Sequence, residues 1–219
     1  MTNRDRWVCL DVGETLIDET RIWSLWADLF GIPRLTFFAA LGAVVAGGGQ
    51  HQGVFDTLGI DEATWRARLP EVEARYGGFR EEDLYPDARR ALGALAEAGY
   101  HVAVAANQPA TRTAQLRALG IDPEVLVMSD EVGVHKPDPA FFERVLELMG
   151  GPPPSSVAYV GDRVDNDVVP AQQAGLRAVW LRRGPWGLIQ QPPEDVRPDL
   201  VASSLDELVE RIGEVWAGA

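Results

Sequence analysis

Read by its apolar positions alone, the chain changes period twice. It opens on an unbroken run, WVCL at residues 7–10, which stops at Asp11 and gives way within a few residues to a helix-starting sequence. A short apolar run bounded by a carboxylate and a glycine predicts a buried parallel strand with a charge at its C-terminal end. The pattern then turns helical. Residues 19–30 carry Ile22, Trp23, Trp26, Leu29 and Phe30 at helical spacing until GIP ends the helix. A second helix over 35–45 closes at Gly47, Gly48 and Gly49, and residues 54–59 form a short piece of ambiguous period. Asp61 predicts an N-cap for a helix reaching about Tyr76, with Trp65 and Leu69 on one face. No convincing strand interrupts residues 18–84, so they are expected to form an inserted helical cap domain.

From Tyr85 onward strands and helices alternate. Helices are expected over 86–98, 109–119, 139–149, 164–174 and 204–216. Strands are expected over 100–106, 125–128, 157–160 and 178–181, with a short edge strand at Leu200 and Val201. The Pro/Gly-rich stretch 182–197 reads as a loop. Such alternation implies right-handed crossovers and a parallel sheet covered on both faces. The fold class is therefore α/β: a Rossmann-like three-layer core with a parallel sheet, built from 1–17 and 85–219, plus the small helical cap of 18–84.

Composition narrows the partners. Hydrophobic residues make up 46% of the chain, enough for a substantial core, and the net charge of -13 would repel a nucleic-acid backbone. A small anionic substrate remains compatible, because a bound cation reverses the local field. The single cysteine, Cys9, lies inside the apolar run and reads as packing. MTNRDRW lacks the apolar centre of a signal peptide, and no run reaches the roughly 18 apolar residues of a membrane helix, so a cytoplasmic protein without a membrane partner is expected. Oligomeric state leaves no mark in the pattern.

The polar residues converge at one place. In an open α/β sheet the C-terminal strand ends share a rim, and here those ends carry Asp11, Asn107, His135, Lys136, Asp162, Asp165 and Asp167. Carboxylates with one lysine suit a cation and a phosphate, and hard oxygen ligands favour Mg²⁺ over zinc. His51, His101 and His135 show no metal-ligand spacing.

DVGETL at 11–16, AAN at 105–107, HKPDP at 135–139 and GDRVDND at 161–167 together resemble the ordered motifs of the haloacid dehalogenase superfamily. The helical insertion falls where the subfamily with a type-1 cap carries its cap. The resemblance implies Asp11 as a nucleophile forming a covalent aspartyl intermediate, with Lys136 neutralising charge on it and on the phosphoryl oxygens. It implies Mg²⁺ held by Asp11, the Gly13 carbonyl, Asp162 and Asp167, and a phosphate contact from Asn107 beside Lys136. By the same reading Thr15 holds its loop by hydrogen bonding, and Asp165 is a solvated loop residue.

Two positions depart from the family's phosphatases. Gly13 stands where they keep a second Asp as general acid and base, and Ala106 stands where they offer Ser or Thr to the phosphoryl group. Lost acid-base help costs roughly 10² to 10⁴ in rate, and Glu14 is the nearest substitute along the chain. The leading expectation is a Mg²⁺-dependent phosphate-ester hydrolase acting on a small molecule. The alternatives are a metal-independent 2-haloacid dehalogenase and a catalytically weak ligand-binding protein of the same fold. Arg21 and Arg34 read as surface arginines rather than cap anion binders, and Trp23, Trp26 and Phe30 read as cap core rather than pocket lining.

Overall fold

The computed structural model describes residues 2–217. The apolar runs of the sequence become β1 (Trp7–Leu10), β2 (His101–Ala106), β3 (Val125–Met128), β4 (Val157–Gly161), β5 (Arg177–Leu181) and β6 (Leu200–Ala202). All pair in parallel, in the order β3-β2-β1-β4-β5-β6. The chain winds outward from β1 to β3, then crosses back so that β4 lies against the other side of β1. The ends of β1 and β4 therefore flank the point where the winding reverses, which is where ligands bind in such sheets.

Side chains alternate across the sheet and give it two apolar layers. Val8, Leu10, Val102 and Val104 face one side, where α5 (Ala88–Glu97), α6 (Thr111–Ala118) and α11 (Leu205–Arg211) cover them with Leu95, Leu116 and Leu208. Cys9, Ala103, Ala105 and Tyr159 face the other, under Phe141, Phe142 and Val145 of α8 (Pro139–Leu148). Cys9 is fully buried and burial pushes its thiol up, as a packing residue requires.

The insertion is helical throughout: α1 (Thr20–Leu29), α2 (Arg34–Ala46), α3 (Gly53–Thr57) and α4 (Glu62–Tyr76). Asp61 caps α4, accepting from the Thr64 amide at 2.8 Å. Trp26, Phe37, Phe55 and Trp65 form the cap's own core. Leu69, expected beside Trp65, is instead exposed. The two connections to the core run side by side: Ile17 bridges Leu84, the Asp18 amide donates to the Asp83 carbonyl at 2.8 Å, and the Tyr85 amide donates to the Leu16 carbonyl at 3.0 Å.

Three local expectations change. Residues 182–197 are not all loop, because α10 (Gly184–Ile189) forms there, with Pro185 in its first turn supplying a preset φ. It packs on α2 and inserts Trp186 into the cap core, a tertiary contact that short-range pattern cannot express. The expected helix over 164–174 begins as a π-turn, Val164–Val168, before α9 (Val169–Gln173). Arg21 is not a surface arginine. Its guanidinium holds Asp83 at 2.5 and 2.7 Å and the Tyr76 and Gly78 carbonyls at 2.7 and 2.6 Å, tying the start of the cap to its end. Arg34 pairs with Asp28 at the surface. Arg21→Ala strands a buried Asp83 carboxylate, so it is expected to cost about 3 kcal/mol in urea unfolding. A loss below about 1 kcal/mol would mean that water replaces the guanidinium.

Candidate active site

Asp11 and Asp162 come together because β1 and β4 are neighbours. Leu10 registers with Val160, and the Asp11 amide extends that pairing by donating to the Val160 carbonyl at 2.9 Å. Asp167 reaches the same point from the π-turn. Its Oδ2 accepts the Arg163 amide at 2.9 Å, and its side chain lies over Gly161 so closely that any Cβ there would overlap it. Gly161 before Asp162 thus makes room for the next carboxylate. Oxygens of Asp11, Asp162 and Asp167 all lie within 4.8 Å of one another.

Lys136 projects into this cluster. Its Nζ lies 2.9 Å from Asp11 Oδ1 and 2.6 Å from Asp167 Oδ1, and it sits 5.1 Å from the Tyr159 ring centroid. Burial works against its charge, but Asp11 and Asp167 outweigh that and hold its pKa above the ordinary lysine value. Asn107 secures the lysine from behind: its Nδ2 donates to the Lys136 carbonyl and its Oδ1 accepts the Lys136 amide, both at 2.8 Å. Asn107 thereby positions Lys136, and its second Nδ2 proton is still available on the cleft wall.

One lysine among three carboxylates leaves a surplus of buried negative charge. Burial first, then Asp167 and Asp11, push Asp162 well above the usual carboxylate range. Burial pushes Asp11 up to about 6, with Lys136 opposing and Asp167 adding. Asp162 Oδ2 is buried and has no hydrogen-bond partner among the described residues. The Asp162 backbone is fixed, its carbonyl accepting from Trp180 Nε1 at 2.9 Å.

The loop after Asp11 turns sharply, and this decides where Glu14 goes. Glu14 adopts a left-handed φ of 50°, uncommon for a residue with a side chain, and the Val12 carbonyl accepts from the amides of Leu16 and Ile17 at 2.9 Å. Glu14 is thereby turned toward the paired connections between core and insertion. Its Oε2 accepts from the Tyr85 hydroxyl at 2.6 Å and its Oε1 from the Glu19 amide at 3.0 Å. The Thr15 hydroxyl is buried without a partner among the described residues, so the loop is held by its backbone and not by that side chain. Gly13 faces Glu19: a Cβ at position 13 would come 2.7 Å from Glu19 Oε1.

Above the carboxylates lies a cleft of about 370 Å³ whose wall includes Asp11, Glu19, His51, Asn107, Lys136 and Asp162. Glu19 carries no motif that marks it in the sequence, and His51 was weighed there only as a metal ligand. The glycines before His51 were the available signal, since they let the chain bend over the rim. Asp165, expected in solvent, accepts from Arg163 at 2.6 Å, Gln190 at 2.9 Å and the cap's Gln50 at 3.1 Å, and so fastens the cap to the core. Trp26 lies in the cap core as expected, while Trp23 and Phe30 pack against it.

A parallel sheet thus gathers carboxylates at its reversal point, with a helical insertion lying across them. The family model for haloacid dehalogenase-like hydrolases matches residues 6–175, and the chain belongs to that family. Over 134 residues it is 34% identical to the glyceraldehyde 3-phosphate phosphatase of Methanopyrus kandleri, a match covering 60% of this chain and 57% of that protein. Over 140 residues it is 35% identical to the phosphoserine phosphatase of Thermus thermophilus, covering 63% and 54%. The chain thus spans about half the length of the curated relatives it matches. A phosphatase structure from Thermococcus onnurineus aligns with a TM-score of 0.60 at 22% identity, covering 95% of this chain and 98% of that one. The L-2-haloacid dehalogenase of Xanthobacter autotrophicus aligns with a TM-score of 0.67 at 19% identity, covering 97% and 99%. At these identities the structural likeness establishes the fold. Among the described residues no single helix is long and apolar enough to cross a membrane.

Proposed function

We propose that the protein is a Mg²⁺-dependent hydrolase of small phosphate esters, with Asp11 as its nucleophile. The observation that carries this reading is the buried, unpartnered Asp162 Oδ2 within a carboxylate cluster that Lys136 only partly neutralises. A divalent cation relieves that surplus, whereas a metal-free displacement of halide leaves it standing. The phosphatase names of the two curated relatives agree with it. In the dehalogenase alternative a substrate carboxylate needs a cationic partner, and the cap's Arg21 and Arg34 are already committed to Asp83 and Asp28.

Asp11, Asp162 and Asp167 are the side chains that would hold Mg²⁺, which supplies neutralisation of phosphoryl charge when bound. An Asp11 oxygen attacks phosphorus in line with the leaving oxygen, giving an aspartyl phosphate that water then cleaves. Lys136 stabilises the charge on Asp11 and on the transferring group, and Asn107 keeps Lys136 in place. The cap excludes bulk water from the cleft.

A panel of phosphate esters, assayed with Mg²⁺ and with chelator beside a 2-chloro acid, tests the reading. Mg²⁺-dependent phosphate release is expected. Chloride release without metal would favour the dehalogenase, and binding without any turnover would favour the ligand-binding alternative. A readout independent of activity is available too: Mg²⁺ at about a hundred times its Kd is expected to stabilise the fold by about 2.7 kcal/mol. Asp162→Asn should lose most of that gain, and an undiminished gain would place the ion elsewhere.

A further inference from the structure

We infer that Glu19 is the general acid and base of this hydrolysis, giving a proton to the leaving oxygen and later taking one from the attacking water. The inference rests on the phosphate-ester reading above and assigns a residue that the reaction needs but the nucleophile loop does not supply. An alkoxide cannot leave at neutral pH without a proton, so a group able to carry one must face the cleft.

Among the described residues the cleft offers few such groups, and each but Glu19 is either paired or in the wrong protonation state. Asp11, Asp162 and Asp167 form the carboxylate cluster, and Lys136 is paired with two of them. Glu14 has both carboxylate oxygens occupied, by the Tyr85 hydroxyl and by the Glu19 amide. His135 is exposed and lies 3.3 Å from Asp130. His51 is half-buried beside Trp23 and Trp186, where burial and the Arg163 charge push it down to about 4, so it is neutral and a poor acid at neutral pH.

Glu19 differs from all of these. It lines the cleft, and among the described residues its carboxylate makes only two contacts, at the outer limit of hydrogen bonding: Trp23 Nε1 at 3.4 Å and Gln108 Nε2 at 3.5 Å. Its Oε1 lies 2.7 Å from where a Cβ on Gly13 would stand, so it fills the space that a side chain at position 13 would enter. Gly13 therefore leaves room for Glu19 beside the loop that carries the nucleophile. A carboxyl group placed there, held by no short hydrogen bond, can both give and take a proton.

The two half-reactions balance. In the first, Asp11 bonds to phosphorus as the ester P–O bond breaks, and the Glu19 proton passes to the departing oxygen, leaving an alcohol, an aspartyl phosphate and the Glu19 carboxylate. In the second, that carboxylate takes a proton from water as the water oxygen bonds to phosphorus. The bond from Asp11 to phosphorus breaks, releasing phosphate and restoring the Glu19 carboxyl.

Glu19→Gln, compared with the unmodified protein on an alkyl phosphate and on 4-nitrophenyl phosphate, tests the assignment. For the alkyl ester kcat/KM is expected to fall by roughly 10² to 10⁴. For the aryl ester it should change little, because nitrophenolate leaves without a proton. Since cleavage of the intermediate also loses its base, the variant should release nitrophenolate in a burst of about one per active site, followed by slow turnover. Gly13→Asp combined with Glu19→Ala, which puts a carboxylate into the same space from the other side, should recover part of the alkyl-ester activity. Equal losses on both esters without a burst, or no loss on either, would overturn the assignment while leaving the phosphatase reading intact. Failure of the unmodified protein to hydrolyse either ester with Mg²⁺ would count against the phosphatase reading itself.

Discussion

Asp11→Asn is expected to reduce phosphate-ester hydrolysis by roughly 10⁴-fold or more without destabilising the fold. The two halves of that expectation have different causes. Activity is lost because an amide cannot supply the anionic oxygen that bonds to phosphorus. Stability holds because Asp11 sits in a cluster with more negative charge than Lys136 can balance, and removing one carboxylate relieves repulsion on Asp162 and Asp167. Lys136 keeps its 2.6 Å contact with Asp167, so no buried charge is stranded. Urea unfolding should find the variant within about 1 kcal/mol of the parent. Residual activity within tenfold of the parent would remove Asp11 from the reaction. A large loss of stability would mean that the Asp11 to Lys136 contact matters more to the fold than the repulsion it offsets.

Lys136→Met reverses the balance and is expected to damage both properties. Its Nζ is fully buried between Asp11 and Asp167, and a neutral side chain of similar length leaves those carboxylates facing each other and Asp162 with no countercharge. Breaking a buried pair in this way costs about 3–5 kcal/mol. Activity should fall by on the order of 10² to 10³ beyond what unfolding explains, because charge developing on the transferring group loses its nearest fixed cation. Added Mg²⁺ should recover part of the stability, since it supplies positive charge to the same oxygens, but not the activity. Urea unfolding with and without Mg²⁺, beside the ester assay, distinguishes these effects. Unchanged stability would mean that water screens the site more than its burial implies.

Much of this arrangement is legible in the sequence, and the reason is local. Parallel strands buried on both faces are written as apolar runs, and the residue ending each run lies on the rim, so Asp11, Asn107 and Asp162 could be assigned there before any coordinates. Asp61 before a helical pattern specified its cap, and the Asp18 to Leu84 stretch read as helical because no apolar run in it was long enough for a strand. Where the reading went wrong, a contact between distant segments prevailed. Trp186 draws a Pro/Gly-rich stretch into a helix by packing into the cap, and Arg21 is half-buried because Asp83, 62 positions away, meets it between the two connections to the core.

The sequence by itself determined the strands and the residues that end them, Asp11, Asn107 and Asp162, because each follows from periodicity over a few residues, while Lys136 and Asp167 were joined to them through the family resemblance. Only the tertiary structure decided how those groups are used. It joined Asn107 to the Lys136 backbone, turned Glu14 toward Tyr85 through its left-handed φ, left Asp162 Oδ2 without a partner among the described residues, and brought Glu19 from the cap into the space beside Gly13. These are matters of direction and distance between side chains on different elements. A linear pattern fixes which residues are present at a strand end but not which neighbour occupies the space beside them.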